Sequence, residues 1–563
     1  LDFAKNTMPR SRPLLACLVF AITFLTFARL TNCNFTFWDD DKTIRQNHWL
    51  NPPTWGTLSY YWTTASESDT MGLYVPVTYT VWSALAKMAR LDHPDSEGLM
   101  LNPVVFHMAN VLLHGMTAVM VFWLLMSVFE RRTKLPAEAE TQAGRDVLPA
   151  FFGALVFALH PVQVETVGWV SGTKDLLCGL LSVIALLMYV RSRYWMGMLF
   201  FVLAMLSKPT AVVLPLMAGV IGVLLLDRPL RRTVIVLIPW GLLMIPCMVL
   251  TREVQPAAWA SSVPVWARPA VAADAVAFYL VKLVWPAHLC IDYGRNTAAI
   301  VEHHLIYWTW ILPVGIAGLI GWRYRSRIVI AGGLLFLLPL IPVLGFVPFE
   351  FELISTTADH YLYLPMLGIA VVVMWILIRV ESRRSKWVCA AILLVMGTRS
   401  ILQEPVWHDS RSLFLHALWI NPRSIVSFDG LGFVTGRDAR RLSDQGLVEQ
   451  ARALFEQSIW YYTKSLEYDP GSVDSMVNLA LDDEKVDRFD LAREQINQIV
   501  KLQKKLPAGL HADPIYLAHL LIDARDIPHA IQWLDEVIYA DPRNFSAVVL
   551  RQQAMDQIRS ATK

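Results

Sequence analysis

The run PVVFHMANVLLHGMTAVMVFWLLMSVF, residues 103–129, decides the fold class. It holds no Asp, Glu, Lys or Arg over 27 residues. About 20 such residues in helical conformation cross the hydrocarbon of a bilayer, so this run reads as a membrane span. It also carries three polar side chains, His107, Asn110 and His114, at i, i+3 and i+7. That spacing puts them on one helix face. A span that is apolar around its circumference except for one polar stripe has lipid on one side and a partner for the stripe on the other.

Similar runs recur until about residue 402, at Leu14–Leu30, Leu148–Trp169, Leu176–Val190, Tyr194–Leu206, Ala211–Leu226, Thr233–Leu250, Leu305–Trp322, Ile328–Phe346, Tyr361–Ile378 and Trp387–Ile401. With the first, they predict an all-α polytopic bundle of about 11 spans. Composition agrees: 55% of the 563 residues are hydrophobic and only 17% are charged, whereas a soluble domain is nearer 25% charged. The net charge of +2 removes any bulk electrostatic case for nucleic acid as a partner. The six cysteines, Cys17, Cys33, Cys178, Cys247, Cys290 and Cys389, form no C-x-x-C pair, and most lie in apolar runs. They read as small buried hydrophobes. The basic start, Leu1–Pro13, lacks the small-residue cleavage site of a signal peptide.

The loops give an orientation. Lys5, Arg10 and Arg12 precede the first run, and alternate loops then carry Arg131, Arg132 and Lys134; Arg191 and Arg193; Arg228, Arg231 and Arg232; Arg323, Arg325 and Arg327; and Arg379, Arg383, Arg384 and Lys386. The other loops are poor in Lys and Arg. Basic residues gather on the cytoplasmic side of short loops, which predicts a cytoplasmic N-terminus and an extracytoplasmic C-terminal region. Two apolar segments in the outer loops 31–102 and 251–304, Val75–Leu91 and Val271–Trp285, are expected as interfacial helices, with Trp82, Lys87 and Arg90 suited to an interface.

After residue 407 the pattern becomes charged and helical. Asn421-Pro422, Asp469-Pro470 and Asp541-Pro542 each close an apolar-periodic stretch, and each Pro is expected to start the next helix. Ala480, Ala492, Ala518 and Ala530 are small residues that permit close helix approach, and Trp460, Tyr461 and Tyr462 are expected in a core. Residues 408–563 therefore resemble a short tetratricopeptide-repeat α-solenoid, which offers a concave surface to a protein or peptide.

Ionisable groups beside spans are costly and default to function. Asp39, Asp40 and Asp41 follow the first span; His107 and His114 lie in the second; His160 and Glu165 end the third; Lys174 and Asp175 follow it; Lys208 opens the sixth; Lys282 lies on an outer interfacial helix; Asp359 and His360 open the tenth. The predicted topology puts all of them on the outer side, in one polar cavity at the membrane edge. The plainer readings are a solvated acidic loop for Asp39–Asp41, interhelical hydrogen bonding for the His107–Asn110–His114 stripe, a snorkelling Lys174 and a helix break at His160-Pro161. A carboxylate that takes a hydroxyl proton beside cations that hold a departing phosphate would suit sugar transfer from a lipid-linked donor.

Seven strings occur in order: Phe37-Trp38-Asp39-Asp40; Phe106-His107-x-x-Asn110-x-Leu112-Leu113-His114; Ala158-Leu159-His160-Pro161-x-x-x-Glu165-x-Val167-x-Trp169; Lys174-Asp175; Leu206-Ser207-Lys208-Pro209; Tyr279-Leu280-x-Lys282-x-x-Trp285-Pro286; and Ala358-Asp359-His360-Tyr361-Leu362-Tyr363-Leu364-Pro365. With the C-terminal repeats they resemble the transmembrane and tetratricopeptide-repeat O-mannosyltransferase family, in a form close to its bacterial relatives. The resemblance implies a GT-C glycosyltransferase fold over residues 1–407, a periplasmic repeat domain over 408–563, and a bacterial inner-membrane location. It implies a polyprenyl-phosphate-linked sugar donor, a protein Ser or Thr acceptor and inversion at the anomeric carbon. Asp39 maps to the general base, with Asp40 as its substitute. Lys174, Lys208, His360 and, more weakly, Lys282 map to the donor phosphate. Glu165, His160, Asp175, His107 and His114 line the cavity, and Asp39 and Glu165 are the positions for any divalent metal. The sequence departs from the family pattern at His360, where related chains usually carry Arg, and at Tyr74-Val75-Pro76-Val77-Thr78, where bacterial relatives carry Trp-His-Pro-Leu-Thr. The first implies weaker or pH-dependent phosphate stabilisation, the second loses a His, and together they imply reduced activity. The alternative they leave open is a catalytically reduced scaffold whose repeats hold a larger assembly.

Overall fold

The computed structural model describes residues 11–64, 73–95, 98, 100–133, 147–254, 264–324, 326–346, 350–380, 382–503, 514–540 and 544–561. Lys5, Arg10, Lys134, Arg325 and Asp541-Pro542 lie outside them. Among the described residues the secondary structure is helical, with one isolated β-bridge between Arg90 and Leu101. The chain divides into two compact units, Leu1–Leu413 and Phe414–Lys563.

Among the described residues of the first unit six helices are long and apolar enough to cross a membrane: Ser11–Asn32, Pro103–Arg131, Val170–Val190, Leu230–Leu250, Leu305–Arg323 and Arg383–Trp407. Five shorter apolar helices accompany them, Val147–Leu159, Tyr194–Met205, Pro209–Leu225, Arg327–Val343 and Met366–Val380. Proline shortens several. The expected run Leu148–Trp169 breaks at His160-Pro161, because Pro161 disfavours helical backbone at the residue before it, and a separate turn, Gln163–Gly168, follows. Leu338–Val343 tightens to a 3-10 helix around Pro339 and Pro342. The apolar windows of Leu230–Leu250 and Leu305–Arg323 are only 11% buried within the protein. Apolar surface that extensive needs lipid around it, so the unit is that of a multi-pass membrane protein.

The two interfacial candidates are both helices. Arg268–Val284 buries Val271, Ala275, Tyr279 and Lys282 along one face and leaves Val281, Val284 and Trp285 exposed. Pro76–Ala89 departs from expectation: Trp82 is buried, not interfacial. It shares a helix face with Tyr79, whose ring stacks on Tyr61 at 3.9 Å, and this aromatic pile forms the core of the loop between the first two spans. Lys87 and Arg90 stay exposed.

In the second unit, Ile425–Asp444, Val448–Tyr468, Val473–Lys485, Phe489–Gln503, Pro514–Asp523, Ile527–Ala540 and Phe545–Ala561 each pack on the next in sequence. Ala480, Ala492, Ala518 and Ala530 are fully buried where these helices meet. Gly432 permits close approach of the next helix, since a Cβ there would lie 2.8 Å from the Tyr462 ring. Tyr461 and Tyr462 are core residues; Trp460 is half exposed. Pro422 and Pro470 lie in the turns rather than opening helices, and Ser424 and Ser472 cap the following helices by accepting from the N–H groups of Ser427 and Ser475.

Candidate active site

Three neighbouring acids after the first span have three different environments. Asp40 is fully buried. Its carboxylate accepts from the Thr36 N–H and hydroxyl, both at 3.0 Å, and from the Ser171 N–H and hydroxyl at 2.9 and 2.7 Å. Burial pushes its pKa up to about 6 against these bonds. Asp41 pairs with Arg45 one turn on, at 2.6 Å. Asp39 keeps its side chain for the cavity: its backbone carbonyl accepts from the N–H and hydroxyl of Thr43, while its carboxylate, 20% exposed, stands 3.4 Å from Lys174 Nζ. Thr43 is itself tied to Ser171 through their hydroxyls at 2.9 Å. The loop is therefore pinned to the 170–172 turn at Asp40 and Thr43, which aims Asp39 across it.

Lys174 and Asp175 open the helix Thr173–Val190, where an acid in the first turn complements the helix dipole. Lys174 reaches Asp39 and lies 4.8 Å from the Trp169 ring centroid. Asp175 accepts from Lys208 Nζ at 2.6 Å, and that ammonium lies 5.7 Å from the Tyr361 ring. Glu165, on the short helix after the Pro161 break, holds His360 Nδ1 in a short contact. Burial raises the Glu165 carboxyl, to about 8. Burial, reinforced by the nearby Lys208, lowers His360 to about 3, with Asp175, Lys174 and Asp39 also within electrostatic reach. With the carboxyl raised and the imidazole lowered, His360 serves as a hydrogen-bonding group and not as a cation.

Asp39, Lys174, Asp175, Lys208, Glu165 and His360 thus form one cluster. A cleft beside it is lined by the polar Asp175, Lys208, His360 and Tyr361 and by the apolar Pro339, Val343, Leu364 and Pro365. The remaining candidates are engaged elsewhere. His107 bonds the Asn34 carbonyl at 3.2 Å. His114 takes the Ala158 carbonyl at 3.0 Å through Nε2 and the Tyr363 hydroxyl at 3.1 Å through Nδ1. Asn110 donates to the Val167 and Trp169 carbonyls and accepts from Thr173. The stripe therefore holds helix ends together, as its plainer reading had it. His160 bridges to the Leu283 carbonyl at 3.1 Å. Lys282 is a correction: its ammonium donates to the carbonyls of Ala287 and His288, at 2.6 and 3.1 Å, and lies over the Tyr293 ring. It closes the turn after its own helix. Among the described residues no three His, Cys, Asp or Glu side chains converge as a metal site would need.

No family model matches the sequence. Curated proteins do. Human protein O-mannosyl-transferase TMTC3 is 22% identical over 85% of this chain and 54% of its own length, and its mouse counterpart 23% identical over 84% and 54%. Mouse protein O-mannosyl-transferase TMTC4 is 25% identical over 76% of this chain and 63% of its own length. The chain is a distant relative of these O-mannosyl-transferases. It spans about half the length of the TMTC3 proteins it matches.

Several site residues escaped the sequence reading. Ser171 orders the acidic loop, and Tyr293 donates to both oxygens of buried Asp359, at 2.8 and 2.9 Å. Phe351 packs between Trp38 and His360, with ring centroids at 6.3 and 6.1 Å. Trp38 and Tyr361 adjoin Asp39 and His360 in two of the quoted strings, which was the available signal; Phe351 and Tyr293 had none. The departure at Tyr74–Thr78 also bears on the site. Val77 N–H and the Thr78 hydroxyl bond the Leu206 and Ser207 carbonyls, seating this segment immediately before Lys208.

Proposed function

We propose that this chain is a membrane glycosyltransferase that moves a sugar, mannose in the leading reading, from a polyprenyl-phosphate carrier to a protein Ser or Thr hydroxyl. The eleven apolar helices are read as crossings of a bacterial inner membrane, which puts the N-terminus and the second unit on opposite sides, the latter in the periplasm. That unit is read as a tetratricopeptide array that recruits the acceptor polypeptide.

The observation that carries this reading is the cluster of Asp39–Lys174, Asp175–Lys208 and Glu165–His360, of which Asp175, Lys208 and His360 line a cleft that also has the apolar Pro339, Val343, Leu364 and Pro365 in its lining. The acceptor hydroxyl oxygen attacks the anomeric carbon from the side opposite the phosphate, and its proton passes to Asp39. The bond from the anomeric carbon to the phosphate oxygen breaks, and the leaving phosphate keeps the electron pair. Lys174 and Lys208 turn from their carboxylates toward that charge, and the His360 ring, positioned by Glu165, donates to it. Pro339, Val343 and Leu364 give the start of the lipid tail an apolar path. The product sugar has inverted configuration.

One observation favours the scaffold alternative: both lysines are already neutralised by acids, and His360 is neutral. The test is incubation of the purified full chain in lipid nanodiscs with radiolabelled polyprenyl-phosphate mannose, glucose or galactose and Ser/Thr-rich polypeptide. The expected result is label on protein, with the opposite anomeric configuration to the donor by NMR. No transfer from any donor, with polypeptide still bound, would establish the scaffold.

A further inference from the structure

The end of the first unit's bundle away from Asp39 gathers arginines from three connections. Arg131, at the end of helix Pro103–Thr133, donates to the Ser192 hydroxyl at 3.2 Å. Arg228 comes to the same hydroxyl at 3.4 Å, and its guanidinium also donates to the carbonyls of Tyr189 and Val190 and stacks on Tyr189 and Tyr194. Arg191 donates to Ser127 at 3.3 Å. Burial lowers the Arg191 pKa, Glu130 opposes the shift, and Arg193 and Arg131 are close enough to add to it by repulsion. The two carboxylates described here are otherwise engaged, Glu130 with Arg12 at 2.5 Å and Asp227 with Arg327 at 2.7 Å.

Two further features fit the same spot. Ser192, held at a left-handed φ of 64°, takes hydrogen bonds from two arginines, which leaves its own hydroxyl proton to donate. The helix Tyr194–Met205 begins immediately after it with no side-chain cap, so its first N–H groups face outward as anion donors. Trp195, 78% exposed, stands beside them, and exposed Trp next to a span marks the level of the lipid headgroups.

We infer that Arg131, Arg191, Arg193 and Arg228, around Ser192, form a binding site for the phosphate of an anionic phospholipid headgroup. The site is independent of the transferase cluster. Basic pockets between spans on the arginine-rich side of a membrane protein take such headgroups, which answer charge left uncompensated among the described residues. Arg228 builds the site, because it also covers the C-terminal carbonyls of helix Thr173–Val190. Arg131 and Arg193 are exposed and supply charge; the Arg193 side chain makes no hydrogen bond or ion pair among the described residues.

The test is native mass spectrometry of the full chain in detergent with phosphatidylglycerol and phosphatidylcholine in competition. Wild type is expected to retain phosphatidylglycerol selectively. Arg131→Ala with Arg193→Ala is expected to weaken that retention about tenfold or more, and Arg131→Lys with Arg193→Lys to restore most of it. Arg193→Ala alone, which removes no described contact, keeps the test open if the double variant does not fold, and is expected to show a partial loss. Equal retention of the two lipids, alanine variants that bind like wild type, or displacement of phosphatidylglycerol by millimolar inorganic phosphate would each overturn the site as a lipid site.

Discussion

Two groups of polar side chains lie within the first unit, and they differ in what they meet. His107, Asn110 and His114 end on the backbone carbonyls of Asn34, Ala158, Val167 and Trp169, with Tyr363 and Thr173 completing them. Asp39, Lys174, Asp175, Lys208, Glu165 and His360 end on one another. A side chain bonded to a carbonyl is fixed by the fold; of these three residues only His107 keeps an unpartnered atom, Nδ1, among the described residues. A side chain paired with another ionisable group can exchange that partner for a substrate of like charge. In the proposed function the first group is architectural and the second carries the chemistry.

The largest stability effect that sharpens this contrast is expected at Lys208. Lys208→Met leaves Asp175, with a side chain only 9% exposed, without its cation. Removing one member of a buried pair costs about 3–5 kcal/mol, read as a lower thermal midpoint in detergent. Adding Asp175→Asn should recover most of the midpoint and none of the transfer activity. Recovery of activity as well would make the pair structural and break the contrast.

Asp40 comes next. Its folded pKa of about 6 lies above the 3.8 of an unperturbed carboxyl, so the native state disfavours the charged form. The penalty is full above pH 6, falls as pH drops from about 6 to 4, and is absent below. The difference is on the order of 3 kcal/mol. Asp40→Asn should flatten the rise in thermal midpoint across that window; an unchanged pH profile would mean that Asp40 is not the titrating anchor.

Asn110→Leu should lower stability by about 1–3 kcal/mol, read as a lower thermal midpoint, because the Val167 and Trp169 carbonyls lose their donor. Turnover per folded molecule should stay near wild type. Lys282→Gln is the smallest change. Glutamine can still donate to the carbonyls of Ala287 and His288, so turnover should hold within about threefold and stability within about 1 kcal/mol. A large loss of turnover with either variant, at unchanged stability, would move that residue into the chemical group.

Much of this was legible in the sequence and some of it was not, for definite reasons. Hydrophobic runs are a local property, so each of the eleven predicted runs overlaps an apolar helix, though only six of these helices are long enough to cross a membrane and Leu148–Trp169 is broken at Pro161; the buried alanines of the second unit follow from the same periodicity. The i, i+3, i+7 spacing gave His107, Asn110 and His114 a common face, but spacing within a helix does not say which carbonyls stand opposite. Asp39 and Asp40 are adjacent and chemically identical. Only the Ser171 turn, 131 residues away, separates the anchor from the carboxylate paired with Lys174. Lys282 misled because its partners lie five and six residues ahead, in a turn where His288 takes a left-handed φ of 53°. Trp82 misled because the aromatic pile that buries it is assembled from another helix, Trp55–Thr63.

The central claim is that Asp39 is the carboxylate that takes the acceptor proton. The most direct measurement is the rate of label transfer from polyprenyl-phosphate mannose to protein by wild type and Asp39→Asn, with thermal midpoints recorded on the same preparations. A transfer rate reduced about 100- to 10,000-fold at an unchanged midpoint is the predicted result. Transfer by Asp39→Asn at the wild-type rate would contradict it.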